Sequence, residues 1–258
     1  MSKLVASARK GIKLSQTGVQ QYIARRTKTD LTMSGLIKRH HEKVISIDNR
    51  NAVKHAAALL NSGSVIALPT DTVYGLACSA NNPEAIQKLY DIKGRHELKP
   101  VAICVPEVDH LRRWGKADHL SSELLQELLP GAVTIVVRKS KHLNNPNLNP
   151  GTLKIGIRIP EFQFIRDVSR SFTLPIALTS ANKSASKSTL NVHEFECLWP
   201  SLGAVFDGGQ LGLSEQQRAA STVIDLSEDG TYSIIRSGVA AEHTIRTVEK
   251  YNFFPKHL

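Results

Sequence analysis

The sequence predicts an α/β domain with a mixed parallel and antiparallel sheet. Three observations carry this expectation. Short apolar runs that read as buried strands alternate with segments of helical periodicity. The second half is richer in strands, and Glu228-Asp229-Gly230 separates two of them as a turn, which predicts an antiparallel hairpin. A chain of 258 residues, 41% of them hydrophobic, suffices for one sizeable core.

In chain order, Asp48 or Asn49 is placed to cap a helix through Val53, Ala56, Ala57, Leu59 and Leu60, with Gly63 at its C′ position. The run SVIAL then reads as a short buried strand ending at Pro69. Asn82-Pro83 opens a second helix with Pro at N1; Ile86, Leu89 and Tyr90 share one face, and Gly94 ends it. Further strands are expected at Val101–Val105, Val133–Val137, Lys154–Ile159, Leu174–Leu178, Thr222–Leu226 and Ser233–Arg236. Helices are expected at Ser121–Leu129 and Glu161–Ser169. Asn144–Gly151 reads as a loop, and the polar run Ser184–Thr189 as a mobile loop. The 22 residues after Arg236 suffice for a terminal helix but not for a second domain. No internal repeat is visible.

The formal charge of +10 suggests a polyanion partner, but its distribution is uneven. Residues 1–45 hold 10 Lys and Arg against two acids, whereas residues 46–258 hold 23 against 21. A nearly neutral body argues against a broad nucleic-acid face and leaves room for a small basic cleft. No stretch approaches the roughly 18 uninterrupted apolar residues of a membrane span. Cys78, Cys104 and Cys197 are widely spaced, so a zinc site is not expected, and no metal-ligand set is assigned. Cys78 and Cys104 sit in apolar surroundings and read as buried free thiols.

The leader contains Lys3, Arg9, Lys10, Lys13, Arg25, Arg26 and Lys28 before its first acid, Asp30. It has no long apolar segment of the secretory kind. An Arg-bearing, acid-poor leader is what a mitochondrial transit peptide looks like; a disordered basic tail is the alternative. Met33 could serve as a second start, giving a cytosolic form, so both cytoplasm and mitochondrion are expected.

Polar residues that follow buried strands mark candidate sites, because open α/β sheets bind ligands at strand ends. Pro69-Thr70-Asp71-Thr72-Val73-Tyr74-Gly75-Leu76 places two hydroxyls and a carboxylate after SVIAL; a plain turn is the bland reading. Lys93-Gly94-Arg95 puts two cations at a helix end, either as dipole complements or as phosphate donors, with Arg95 the bidentate fork and Lys93 the point charge. Thr179-Ser180-Ala181-Asn182 follows the run PIAL and could equally be a cap. Strand alternation sets Arg158 opposite Ile157 and Ile159, where it could simply face solvent. Ser221 opens one strand and Arg236 ends another. Neither G-x-x-x-x-G-K-[ST] nor G-x-G-x-x-G is present, so a nucleotide site would be of another kind. No Ser-His-Asp arrangement can be inferred.

Taken in order, PTDTVYGL, K-G-R 23 residues after Thr70, PGAVT, R-I-P, T-S-A-N, STV-I-D and I-I-R-S-G resemble the YrdC family of threonylcarbamoyl-AMP synthases over about residues 50–241. Each motif alone is weak, and the ordered set is specific. The resemblance implies a single domain with a twisted mixed sheet around a basic cavity. It implies an enzyme that makes threonylcarbamoyl-adenylate from L-threonine, bicarbonate and ATP, releasing pyrophosphate, with Mg²⁺ on the triphosphate. The product would pass to a tRNA threonylcarbamoyl transferase complex; whether tRNA is bound directly is left open.

The family signature K-x-R with S-x-N falls on Lys93, Arg95, Ser180 and Asn182, the implied catalytic residues. Thr70, Arg158, Thr179 and Ser221 would contact threonine. Lys93, Lys154 through its neighbouring backbone, Ser180, Ser188 and Arg236 would contact ATP. On this reading residues 1–45 are the leader, 46–245 the catalytic domain and 246–258 a tail. His96 stands where many relatives have Pro, and the extra C-terminal domain of the longer branch is not expected here. Two rival readings are an RNA-binding or ribosome-maturation module using the same cavity, and an ATP-dependent carbamoyl-transfer domain detached from a larger enzyme.

Overall fold

The computed structural model describes residues 42–94, 100–184 and 186–256. Residues 1–41 of the leader, Met33 among them, and Arg95 and His96 lie outside the described residues; the expected boundary at 45/46 falls inside a strand, since Val44 and Ile45 pair with Val205 and Phe206. Lys43 onward forms one compact unit.

Local chemistry sets the first two helices and the first strand between them much as the sequence suggests. After strand β1 (Val44–Ser46), helix α1 (Ala52–Asn61) starts behind Asn51 rather than Asp48 or Asn49, and Gly63 adopts the left-handed φ of 72° that follows its end. Strand β2 (Ile66–Leu68) turns back antiparallel into β3 (Gly75–Ser79). The Asn82 side chain caps α2 (Pro83–Lys93) by accepting from the Ala85 N–H at 3.0 Å, and Gly94 closes it with φ 60°. Strand β4 (Ala102–Cys104), helix α3 (Val108–Trp114), the two-residue β5 (Gly115–Lys116) and helix α4 (Ser122–Leu128, capped by Ser121) follow.

Strands β6 (Val133–Lys139) and β7 (Lys154–Arg158) lead to helix α5 (Gln163–Phe172). The next strand, β8, runs Ile176–Ser180 rather than Leu174–Leu178, because Pro175 has no N–H to give a ladder. A 3-10 segment (Val192–Ser201), β9 (Val205–Asp207), a 3-10 turn (Glu215–Arg218), the antiparallel hairpin of β10 (Thr222–Asp225) and β11 (Thr231–Arg236), helix α6 (Ala241–Lys250) and β12 (Phe254–Pro255) complete the fold. The boundary expected at 245/246 falls inside α6, and the segment after it adds β12 beside β11.

Among the described residues the strands form one mixed sheet in the order β1-β9-β2-β3-β8-β4-β7-β6-β10-β11-β12, with β5 beside β6. Side chains alternate between its faces. One face packs Leu76, Cys78, Ile103, Val133, Ile135, Val137, Ile155, Ile157 and Ile224 against α2, α3, α4 and α6. The other face packs Ile66, Leu68, Ile176 and Leu178 against α1 and α5, which lie side by side. That helical cover spans only part of the face. Over β4, β7, β6 and β10 the outward residues are Ala102, Gly156, Thr134, Val136 and Val223, mostly small, and a cavity of about 660 Å³ remains there. Gly156 is required by space: a Cβ would stand 2.9 Å from Thr134 Cγ2.

Candidate active site

The cavity collects seven of the residues singled out from the sequence: Thr70, Lys154, Arg158, Thr179, Ser180, Ser221 and Arg236 all line it. Lys93, Asn182 and Ser188 do not line it. Lys93 stands behind the lining, hydrogen-bonded to Ser180, which does line it. It sits at the last position of α2 yet is only 1% exposed, so it does not act as a solvated complement to the helix dipole. Its Nζ donates to the Ser180 carbonyl at 2.6 Å and to Asn182 Oδ1 at 3.0 Å. Ser180 Oγ donates to the same Asn182 oxygen, and Asn182 Nδ2 donates to the Ser186 carbonyl. Residues from α2 and from the end of β8 thus form one hydrogen-bonded cluster directly behind the cavity surface.

The loop expected to be mobile is tied down at several points. Besides the Asn182 bond, Arg218 Nη1 donates to the Ser188 carbonyl at 2.8 Å, Thr189 Oγ1 donates to the Ala181 carbonyl at 3.1 Å, and the Tyr74 N–H donates to the Thr189 carbonyl at 2.9 Å. Lys187 pairs with Glu215 at 3.0 Å.

A second group of candidates lies at the far end of the strands. Arg158 is four residues along β7 from Lys154, about 13 Å at the rise of a strand. It does not face solvent. Its Nη2 pairs with Asp71 Oδ1, and the two side chains are 8% and 9% exposed. Asp71, which the sequence offers only as one carboxylate of a turn, is therefore a structural partner of Arg158 delivered by the β2–β3 loop. That loop is itself organised by Thr70, whose Oγ1 accepts from the N–H groups of Thr72 and Val73 and donates to the Val73 carbonyl at 2.7 Å. Tyr74, also in the lining, anchors the loop to Gly208 and Gly209, and burial pushes its hydroxyl pKa far up.

Ser221 and Arg236 meet through the β10–β11 hairpin. Arg236 Nη2 donates to the Ser221 carbonyl at 2.8 Å and to Ser221 Oγ at 3.2 Å. Burial first, and repulsion from Arg158 second, hold the Arg236 pKa below its ordinary value. Among the described residues three cations and no carboxylate line the cavity, and Arg236 is the one of the three without a carboxylate partner there. Thr134, which the sequence hides as one hydroxyl inside an apolar strand, bonds Ser221 Oγ at 2.8 Å.

Lys154 turns its amine to Asp225, 2.6 Å away. Burial raises the Asp225 pKa most, but hydrogen bonds from Lys154 and Ser227 outweigh it and leave the carboxyl below its ordinary 3.8. A depressed carboxyl contributes stability above its unfolded pKa and loses it as pH falls through the folded value. Asp225→Asn is therefore expected to lower stability above pH 3.8 and to converge with the parent protein below it. Urea unfolding across that pH checks this; equal differences on both sides would mean that the pair carries no such linkage. The thiols of Cys78 and Cys104 are buried, with Cys104 pushed up to about 12 by burial, while Cys197 is exposed.

A cavity lined by Lys154, Arg158 and Arg236 and by the hydroxyls of Thr70, Thr134, Thr179, Ser180 and Ser221 is suited to positioning and charge stabilisation. Residues 58–238 match the family model for Sua5, YciO and YrdC, described as telomere recombination, and the chain belongs to this family. Threonylcarbamoyl-AMP synthase of Bos taurus is 46% identical over 208 residues, covering 80% of this chain and 75% of that protein. The enzyme of that name from Homo sapiens is 46% identical over 209 residues, 80% and 74% of the two chains. The crystal structure of P. abyssi Sua5 complexed with L-threonine shares the fold, with a TM-score of 0.72 at 24% identity over 83% of this chain and 62% of that one.

Proposed function

We propose that this chain condenses L-threonine, bicarbonate and ATP into threonylcarbamoyl-adenylate, releasing pyrophosphate and water, for threonylcarbamoyladenosine modification of tRNA. The observation that carries the reading is the clustering of Lys93, Ser180 and Asn182 against a cavity whose opposite end holds Arg158, Ser221 and Arg236. The names of the bovine and human relatives support it. So does the cavity size, which falls within the usual range for small-molecule sites.

In this reading the threonine amine takes up CO₂ from bicarbonate to give a carbamate, and a carbamate oxygen attacks the α-phosphorus while pyrophosphate leaves. The nucleophile belongs to the substrate, so no Ser, Cys or His need be activated. Lys93, with Arg95 from beyond the described residues, neutralises carbamate and phosphate oxygens; Ser180 and Asn182 orient them. Arg158 holds the threonine carboxylate, and Thr70, Thr179 and Ser221 complete the amino-acid pocket. Lys154, Ser188 and Arg236 hold the nucleotide. Among the described residues the lining offers no carboxylate, so Mg²⁺ would be held chiefly by the triphosphate itself, where it would supply neutralisation of phosphate charge. The product passes to a tRNA threonylcarbamoyl transferase complex.

Incubation with ATP, bicarbonate and labelled threonine is expected to give a labelled adenylate with equimolar pyrophosphate. A folded protein that binds tRNA but consumes no ATP would overturn the reading in favour of an RNA-binding module. The basic leader is assigned to mitochondrial import, with a cytoplasmic form from Met33. Deleting residues 1–32 is expected to abolish import and leave catalysis intact; import of the truncated protein would refute the assignment.

A further inference from the structure

We propose that Thr134 is a specificity-determining residue, which with Ser221 forms a hydroxyl pair that reads the side-chain hydroxyl of the bound amino acid. This rests on the reading above that threonine is the substrate. It assigns a role to the last residue of the motif PGAVT, to which the resemblance attached none.

The sheet register places the pair beside the cation meant for the carboxylate. Strands β6 and β7 pair antiparallel with Ile135 opposite Ile157 and Val136 opposite Gly156, so the next step of the ladder sets Thr134 against Arg158. On its other side β6 runs parallel to β10, with Val133 beside Thr222, the residue after Ser221. Arg158 and Thr134 are therefore neighbours across one strand spacing of about 4.8 Å, while Thr134 itself stands beside Val223, so Ser221 lies two residues back along β10 and meets Thr134 on the diagonal through the 2.8 Å bond between their hydroxyls. Threonine carries its hydroxyl two carbons from its carboxylate carbon. A carboxylate held near Arg158 would therefore leave the hydroxyl about one strand away.

The pair is also built to accept it. Thr134 is buried, its Cγ2 lies in the space left by Gly156, and its Oγ1 points to Ser221. The bond to Ser221 is the one hydrogen bond of the Thr134 hydroxyl among the described residues. Arg236 can only donate, so it occupies one lone pair of Ser221 Oγ. If Thr134 donates to Ser221, the Ser221 proton is left for the ligand. If Ser221 donates instead, the Thr134 proton is left. In both arrangements one donor and at least one lone pair face the cavity. A substrate hydroxyl satisfies them; the methyl of valine strands them in a buried site, which is how such sites discriminate.

The test compares kcat/KM for threonine and for valine, read as pyrophosphate release, in the full chain and in Thr134→Val and Thr134→Ser. Valine at this position keeps the shape of the strand residue and removes only its hydroxyl. We expect Thr134→Val to lower the threonine-to-valine ratio at least about tenfold, the scale of one buried hydrogen bond. Thr134→Ser should keep it within about threefold. Should Thr134→Val fail to fold, Thr134→Ala carries the same expectation. A ratio that stays unchanged while both rates fall together would make Thr134 merely structural and overturn the proposal. If the unmodified chain shows no threonine-dependent pyrophosphate release, the proposed function itself fails, and that result is distinct from an unchanged ratio.

Discussion

Replacing Lys93 by Met should lower kcat/KM for threonine-dependent pyrophosphate release by about 10²–10³, the scale of a lost oxyanion donor. Met preserves the apolar stem that runs through the buried wall and removes only the ammonium. The effect should fall mainly on kcat, because a charge that meets developing negative charge is worth more in the transition state than in the ground state. Some stability should be lost too, about 1–3 kcal/mol, since Asn182 Oδ1 and the Ser180 carbonyl each lose a buried donor. Lys93→Arg should rescue poorly. The site is closed around a side chain that is 1% exposed, and a planar guanidinium needs space that an ammonium does not. Near-UV circular dichroism separates loss of fold from loss of chemistry. A folded Lys93→Met protein with unchanged turnover would remove Lys93 from the chemical step.

Asp71→Ala should be the most destabilising single change at the site, by about 3–5 kcal/mol, because it leaves the Arg158 cation buried without its counter-ion. The pair as it stands is not fully satisfied: Asp71 Oδ2 and Arg158 Nε have no hydrogen-bond partner among the described residues. Its net contribution relative to apolar residues is consequently modest, while breaking one side is costly. The double change Asp71→Ala with Arg158→Met should therefore be less destabilised than Asp71→Ala alone. Urea unfolding of the two variants distinguishes the cases. A loss under about 1 kcal/mol for Asp71→Ala would mean that water screens Arg158 as it screens a surface pair.

The two experiments probe opposite ends of one cavity. Lys93 tests the cluster at the end of β8, and Asp71 tests the support of Arg158 at the end of β7. The Thr134 ratio then asks whether the hydroxyl pair between Arg158 and Arg236 recognises the amino acid.

Much of the fold was legible in the chain because it rests on neighbours in sequence. Asn82 caps its helix by reaching the N–H three residues on, and Gly94 ends it by adopting a left-handed φ, both local choices. The β10–β11 hairpin follows from its turn. Among the elements that went unread, β1, β9 and β12 are two or three residues long, too short for alternation to register, whereas the five residues of β3 are all buried and so show no alternation. Leu174–Leu178 was displaced along the chain because the pattern of apolar residues does not register the ladder bond that Pro175 cannot make.

By itself the sequence determined the alternation of strand and helix, both ends of α2 and the ordered set of motifs by which the family is legible. Only the tertiary structure decided which of those residues meet. Lys93 reaches Ser180 across 87 positions, Arg158 reaches Asp71 across 87, and Thr134 reaches Ser221 across 87. Alternation along β7 told which face Arg158 shares with Gly156, but not whether water or protein covers that face. Coverage depends on the order β8-β4-β7-β6-β10, on α1 and α5 stopping short of its far half, and on small side chains from four strands converging there. Those are relations between distant segments, set by packing rather than by any local preference of the chain.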